Sequence, residues 1–166
     1  SEGVTSLSTD LLPMIQKAFE PIAMGTVATS AGEARRIGYL RATDRISMNR
    51  DRLIADAKDL ALVRAREGYQ RPPMRTQIAV GGETVMAALR IGIHLLWRGG
   101  RISDHDKLIG TKLAGIMAGG ALPHPAFVTE QYLLDLEREA FLSLCGEQKT
   151  QDRIMSLLST GKPLRN

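Results

Sequence analysis

Val128-Thr129-Glu130-Gln131-Tyr132-Leu133-Leu134-Asp135-Leu136-Glu137-Arg138-Glu139-Ala140-Phe141-Leu142-Ser143-Leu144-Cys145-Gly146 reads as one capped helix. The Thr129 hydroxyl can accept an amide proton of the first turn, which otherwise lacks a partner. Val128 and Leu133 flank that cap where a hydrophobic staple closes, and Gly146 supplies the usual left-handed stop. Leu133, Leu136, Ala140 and Leu144 recur on one face, while Leu134, Phe141 and Cys145 form a second shoulder about 100° away. A helix with two apolar flanks requires cover on more than one side. The other segments are therefore expected to converge on it.

Working outward, Glu83 to Arg98 is a second apolar helix, carrying Val85, Met86, Leu89, Ile91, Ile93, Leu95, Leu96 and Trp97 and closed by Gly99-Gly100. Ser103 and Asp106 form a cap pair for a third, with Leu108, Ile109, Leu113, Ile116 and Met117, closed by Gly119. Glycines inside these helices (Gly92, Gly110, Gly115) cost about 1 kcal/mol each against Ala unless another backbone approaches closely. Leu122-Pro123-His124-Pro125 is a rigid link, and Thr150 caps a last helix ended by Gly161.

Toward the N-terminus, Arg71-Pro72-Pro73 must be extended, and Thr76 to Val80 has the composition of a lone strand without a visible partner. Asn49 caps a helix over 50–67 with Leu53, Ala57, Leu60 and Ala61 inward and Gly68 as stop. Ser30 with Glu33 makes a capping box for a two-turn helix closed by Gly38. A helix from Asp10 to about Ala23 follows a polar leader, Ser1 to Ser8, and Pro21 should bend or end it. The expected fold is all-α, an irregular array of six or seven helices. Its divisions are a first helical half over 1–70, an extended Pro-containing linker over 71–82, and a second helical half over 83–166.

Composition bounds the function. A chain of 166 residues suffices for one cored domain. The single cysteine, Cys145, excludes a disulfide framework. No apolar run reaches the roughly 20 residues of a membrane span, and no signal-peptide pattern opens the chain, so a soluble, cytoplasmic protein is expected. Arginines crowd the first half (Arg35, Arg36, Arg41, Arg45, Arg50, Arg52, Arg64, Arg66, Arg71, Arg75), interleaved with carboxylates. They read as a solvated helix face, with a phosphate-binding surface as the alternative. No catalytic set emerges. His94 reads as a packed or rim histidine rather than a ligand, His105 as part of a first turn, His124 as a loop residue between prolines, and Cys145 as inert at a helix C-terminus. Glu137 and Glu139 cannot share a helix face.

A resemblance extends this reading. Lys17 to Met24, Thr29 to Ala34, Met48 to Leu53, Gly68-Tyr69 with Pro72-Pro73, Ile102 to Asp106, Glu130 to Phe141, Lys149 to Gln151 and Thr160 to Asn166 occur in an order that resembles a known family. It is the extreme C-terminal part of bacterial multifunctional fatty-acid β-oxidation proteins, which combine 3-hydroxyacyl-CoA dehydrogenase with a crotonase-like enoyl-CoA hydratase. Ser30 to Leu40 is similar to the SAxEAxxxGLV stretch of crotonases, with Tyr39-Leu40 in place of Leu-Val.

The resemblance implies a parent that hydrates 2-enoyl-CoA and oxidises 3-hydroxyacyl-CoA with NAD. Crotonase catalytic groups lie upstream of that stretch, so no catalytic residue maps onto this chain. What remains is a helical packing and oligomerisation region, partnered by missing upstream enzyme domains and self-associating through exposed helix faces. Lys162 is the counterpart of a late basic residue that touches the CoA nucleotide in some crotonases, with Leu157 where an aromatic is usual. The rival readings are an Arg-rich helical nucleic-acid-binding protein and a stand-alone helical adaptor.

Overall fold

The computed structural model describes residues 2–166, with side chains from residue 11 onward. Among the described residues it is all-α. Seven helices follow in order: α1 (Glu2–Ala23), α2 (Ala31–Ile37), α3 (Leu53–Arg66), α4 (Gly82–Arg98), α5 (Asp104–Ala118), α6 (Glu130–Cys145) and α7 (Gln148–Thr160). The helix expected from Asp10 begins instead at Glu2, so most of the leader is helical. Among the described residues no helix is long and apolar enough to cross a membrane.

The predicted strand has a partner after all. β1 (Ile78–Val80) pairs antiparallel with β2 (Ala126–Val128), placing Ile78 opposite Val128 and Val80 opposite Ala126. Val128, read as a staple, is thus a strand residue. Two three-residue strands separated by α4 and α5 are too short for an alternating pattern to register.

The chain divides into two compact units: one runs through Gly25 and resumes over Met74–Asn166, the other is Thr26–Pro73. The division expected at 71–82 differs because α1 packs against α4, α5 and β1 rather than with its sequence neighbours. Residues 69–77 carry no helix or strand before β1 begins.

In the larger unit the helix on which the others converge is α5, not α6. α5 packs against α1, α4 and α6, whereas α6 packs against α5 and α7. Side-chain size is the reason. The buried positions of α5 include Gly110, Ala114 and Ala118 at intervals of four, a ridge of small residues into which neighbouring helices can settle. Ile93 of α4 lies there, 3.5 Å from where a Cβ on Gly110 would stand. The core is Phe19 from α1, Val85, Leu89 and Ile93 from α4, and Ala114 and Ala118 from α5, with Leu12, Ile15, Met86, Ile102, Leu113 and Met117 packed against it. α6 contributes no fully buried residue. Its Leu133, Leu136, Ala140 and Leu144 are half-buried, and Leu134 and Phe141 on the second shoulder are exposed. The Tyr132 hydroxyl fastens α6 by donating to the Gly119 carbonyl at the end of α5, 3.0 Å away.

The smaller unit is built differently. No residue between Thr26 and Pro73 is fully buried, and short-range polar bonds define it. The Ser30 hydroxyl caps α2, but Glu33 Oε2 reaches past Ser30 to accept from the Thr29 amide (2.7 Å) and hydroxyl (2.6 Å). The resulting bonds hold the Glu33 carboxyl below the usual range, the Thr29 hydroxyl being the largest cause. Asn49 caps a single 3-10 turn, Arg50–Arg52, which leads into α3. Of the residues expected to face inward, Leu60 is half-buried while Leu53, Ala57 and Ala61 are exposed.

Two glycines test this fold with opposite signs. Gly82 opens α4 at φ +60°, and a Cβ there would stand 2.7 Å from the His124 carbonyl oxygen. Gly92 in mid-helix faces open space, with no neighbour within 4 Å of its would-be Cβ. Gly82→Ala is therefore expected to lower stability by about 2 kcal/mol or more, combining left-handed strain with a backbone collision. Gly92→Ala should raise it by about 0.5–1 kcal/mol. Urea midpoints of the two variants check both.

Candidate functional site

The most connected polar cluster in the larger unit lies where α5 begins. Ser103 and Asp106 form the expected capping box: the Ser103 hydroxyl accepts from the Asp106 amide at 3.1 Å, and Asp106 Oδ2 accepts from the Ser103 amide at 3.0 Å. The other carboxylate oxygen accepts from Arg153 Nη1 of α7 at 2.8 Å. Asn166 completes the arginine's coordination, accepting from Nε through its side chain (2.9 Å) and from Nη2 through its carbonyl (3.2 Å). Between these groups His105 is only 4% exposed, its Nε2 2.9 Å from the Thr150 hydroxyl. Thr150 is thus not the cap of α7. That position belongs to Glu147, and Thr150 lies in the first turn of the helix with its hydroxyl committed to His105.

The electrostatics follow from burial. Desolvation, then the Arg153 and Lys149 charges, hold the His105 imidazole below its ordinary value of 6.5. Burial pushes the Asp106 carboxyl up, but the Ser103 amide and the Arg153 guanidinium outweigh it, so it lies below its ordinary 3.8. A neutral histidine and an ionised aspartate therefore share the base of α5.

Beside the cluster is a hollow of about 390 Å³ walled by Ile22, Ile102, Ile109, Ile154, Leu157 and Leu164, with Asp106, Arg153 and Arg165 also lining it. A second hollow of about 330 Å³ among α4, α5 and α6 holds Arg90, Lys112, Glu139 and Ser143. There Lys112 Nζ donates to the Ser143 hydroxyl at 2.9 Å.

A hydroxyl beside an imidazole is the first pair that nucleophilic catalysis needs. Here the neighbouring carboxylate hydrogen-bonds to Ser103 and Arg153 instead of orienting the ring, so the cluster reads as a clamp tying α5 to α7 and Asn166. The other candidates are scattered. His94 is exposed, its ring 5.5 Å from that of Trp97. His124 is exposed in its loop, and Glu137 and Glu139 are exposed on α6. Cys145 is a half-buried free thiol. Lys162 is exposed after α7, its amide donating to the Thr160 hydroxyl at 3.2 Å, and its successors Pro163, Leu164 and Arg165 line the larger hollow. Among the described residues no three His, Cys, Asp or Glu side chains are grouped to hold a metal. The sequence did not reveal the clamp because its halves are 45 and 47 residues apart.

These features define an all-α scaffold in which the Asp106–Arg153, His105–Thr150 and Lys112–Ser143 bonds join helices. Comparison with known proteins narrows the class. The chain is 48% identical over 157 residues, 95% of its length, to a Bacillus subtilis (strain 168) protein named "Probable 3-hydroxyacyl-CoA dehydrogenase". It spans 20% of that relative. No family model matches the chain, and no solved structure matches it.

The clamp makes stability pH-dependent with a definite sign. His105 binds its proton more weakly folded than unfolded, so the unfolded chain takes up more protons as pH falls below about 6.5, and stability drops. The slope of unfolding free energy against pH between 5 and 7 should be positive, and smaller in His105→Gln, as measured by urea titration at each pH. Thr150→Val, which removes the buried ring's partner, should cost about 1–3 kcal/mol at neutral pH.

Proposed function

We propose that this chain is a non-catalytic helical packing and oligomerisation region of a fatty-acid β-oxidation enzyme. In this reading it is the C-terminal part of a larger polypeptide that oxidises 3-hydroxyacyl-CoA with NAD and hydrates 2-enoyl-CoA through a crotonase-like module. The observation that carries it is the 48% identity extending over 95% of the chain to a protein named as a 3-hydroxyacyl-CoA dehydrogenase, of which the chain matches a fifth. Exposed apolar side chains on α3, α6 and α7, among them Ile54, Phe141 and Leu158, support a packing role.

NAD fits the parent rather than this chain. Dinucleotides lie at the carboxyl ends of parallel strands, where a glycine-rich turn meets a helix. The sheet described here is two antiparallel three-residue strands. The catalytic groups for both reactions are likewise assigned to the upstream domains. Lys162, exposed beside the larger hollow, is the residue proposed to approach the CoA nucleotide once the domains are assembled.

Two assays on one substrate pair test the proposal. The purified 166-residue chain should neither hydrate a short 2-enoyl-CoA nor reduce NAD with a 3-hydroxyacyl-CoA, and turnover by the chain alone would contradict the reading. Excising the matching fifth from the Bacillus subtilis relative should lower its activity at least tenfold or leave it insoluble. Full activity of the soluble, excised protein would contradict a packing role.

A further inference from the structure

Thr26–Pro73 folds back little apolar surface of its own. None of its residues is fully buried, and Ile54 (83% exposed), Met48 (92%) and Val27 (81%) stand open. At 100° per residue Leu53, Ile54, Ala57, Leu60 and Ala61 fall within about 120° of the α3 circumference, interrupted only by Arg64 near the end. Such a stripe is the signature of a helix face meant for cover. Ordering each backbone residue costs about 1–2 kcal/mol, which a segment without a buried core does not offset by itself.

Charge says what kind of cover fits. The segment holds ten Lys and Arg against six Asp and Glu, while the remaining residues hold twelve of each. The formal net charge of +4 therefore resides in Thr26–Pro73. Among the described residues Arg36, Arg52 and Arg64 have carboxylate partners. Arg41, Arg45, Arg50, Arg66 and Arg71 form no salt bridge there.

A second copy of this chain is a poor match. Its own Thr26–Pro73 repels, and its remainder has no excess of acid. A nucleic acid would answer the charge but leave the apolar stripe in water. An anionic membrane laid on the stripe would meet Asp56, which flanks it about 40° beyond Leu60.

We infer that Thr26–Pro73 is a docking arm that lays the α3 stripe into an apolar protein groove edged by carboxylates, supplied by the part of the parent polypeptide outside this chain. The inference rests on the proposed parentage and adds the element that docks and the chemistry of its receptor. The arm's excess positive charge governs encounter and salt sensitivity, and the stripe supplies the buried centre.

Hydrogen–deuterium exchange tests this on proteins that exist whole. The isolated 166-residue chain is compared with the full-length Bacillus subtilis relative, peptide by peptide. The segment aligned with α3 should exchange at least 100-fold more slowly in the full-length protein, while the segment aligned with α5 changes by less than threefold. Raising salt from 50 mM to 1 M should cut the α3 protection several-fold. Equal exchange of α3 in both proteins would overturn the docking arm, and protection unmoved by salt would overturn the acidic rim. Protection of the isolated chain by phosphatidylglycerol vesicles or by transfer RNA, with none in the full-length protein, would also overturn it. Dehydrogenase assay of the same full-length sample separates the two claims. Activity with unprotected α3 leaves the parentage standing and removes the arm; protected α3 without activity does the reverse.

Discussion

The approach of α4 to α5 is the constraint from which the larger unit follows. Gly110, Ala114 and Ala118 leave a shallow track along α5, and Ile93, Leu89 and Val85 of α4 belong to the same buried cluster. The end of that track fixes the sheet. A Cβ on Gly119 would stand 2.5 Å from Val80 Cγ2, so only glycine lets β1 close over the end of α5. Gly119 also accepts the Tyr132 hydroxyl through its carbonyl, which seats α6. Larger side chains along the track would push α4 outward and lose contacts that a close-packed interior does not readily replace.

Polar bonds then complete what apolar packing leaves loose. α7 has no fully buried residue, yet Thr150 and Arg153 bind it to the start of α5 through His105 and Asp106. Keeping that histidine neutral and that aspartate charged is a matter of burial against hydrogen bonding, and both groups serve structure. Thr26–Pro73 is the complement: rich in local polar bonds, without a buried residue, and carrying the excess positive charge.

Local chemistry was legible from the residues. The Ser30, Ser103 and Thr129 hydroxyls cap the helices they were expected to cap, and Gly38, Gly119 and Gly161 adopt left-handed stops, whereas Gly146, expected to do the same, ends α6 at φ -73° in the right-handed region. The all-α class followed from those boundaries and from helical periodicity. Which helix sits at the centre did not follow. Large leucines on two sides of α6 suggested centrality, whereas small residues put α5 there. Gly92 and Gly110 look alike in sequence, and only one meets a neighbouring helix. The pairing of β1 with β2, the bond between His105 and Thr150, and the exposure of the α3 stripe depend on contacts far along the chain or outside it. For the same reason the candidate site was visible only as a cap pair, Ser103 with Asp106.

The central claim is that residues around α5 form a self-sufficient core while Thr26–Pro73 lacks one. Backbone ¹⁵N relaxation on the purified 166-residue chain measures this most directly. The account expects order parameters near about 0.85 through α4, α5 and α6 and below about 0.6 across α3. Uniformly high values through α3 in the isolated chain would contradict it.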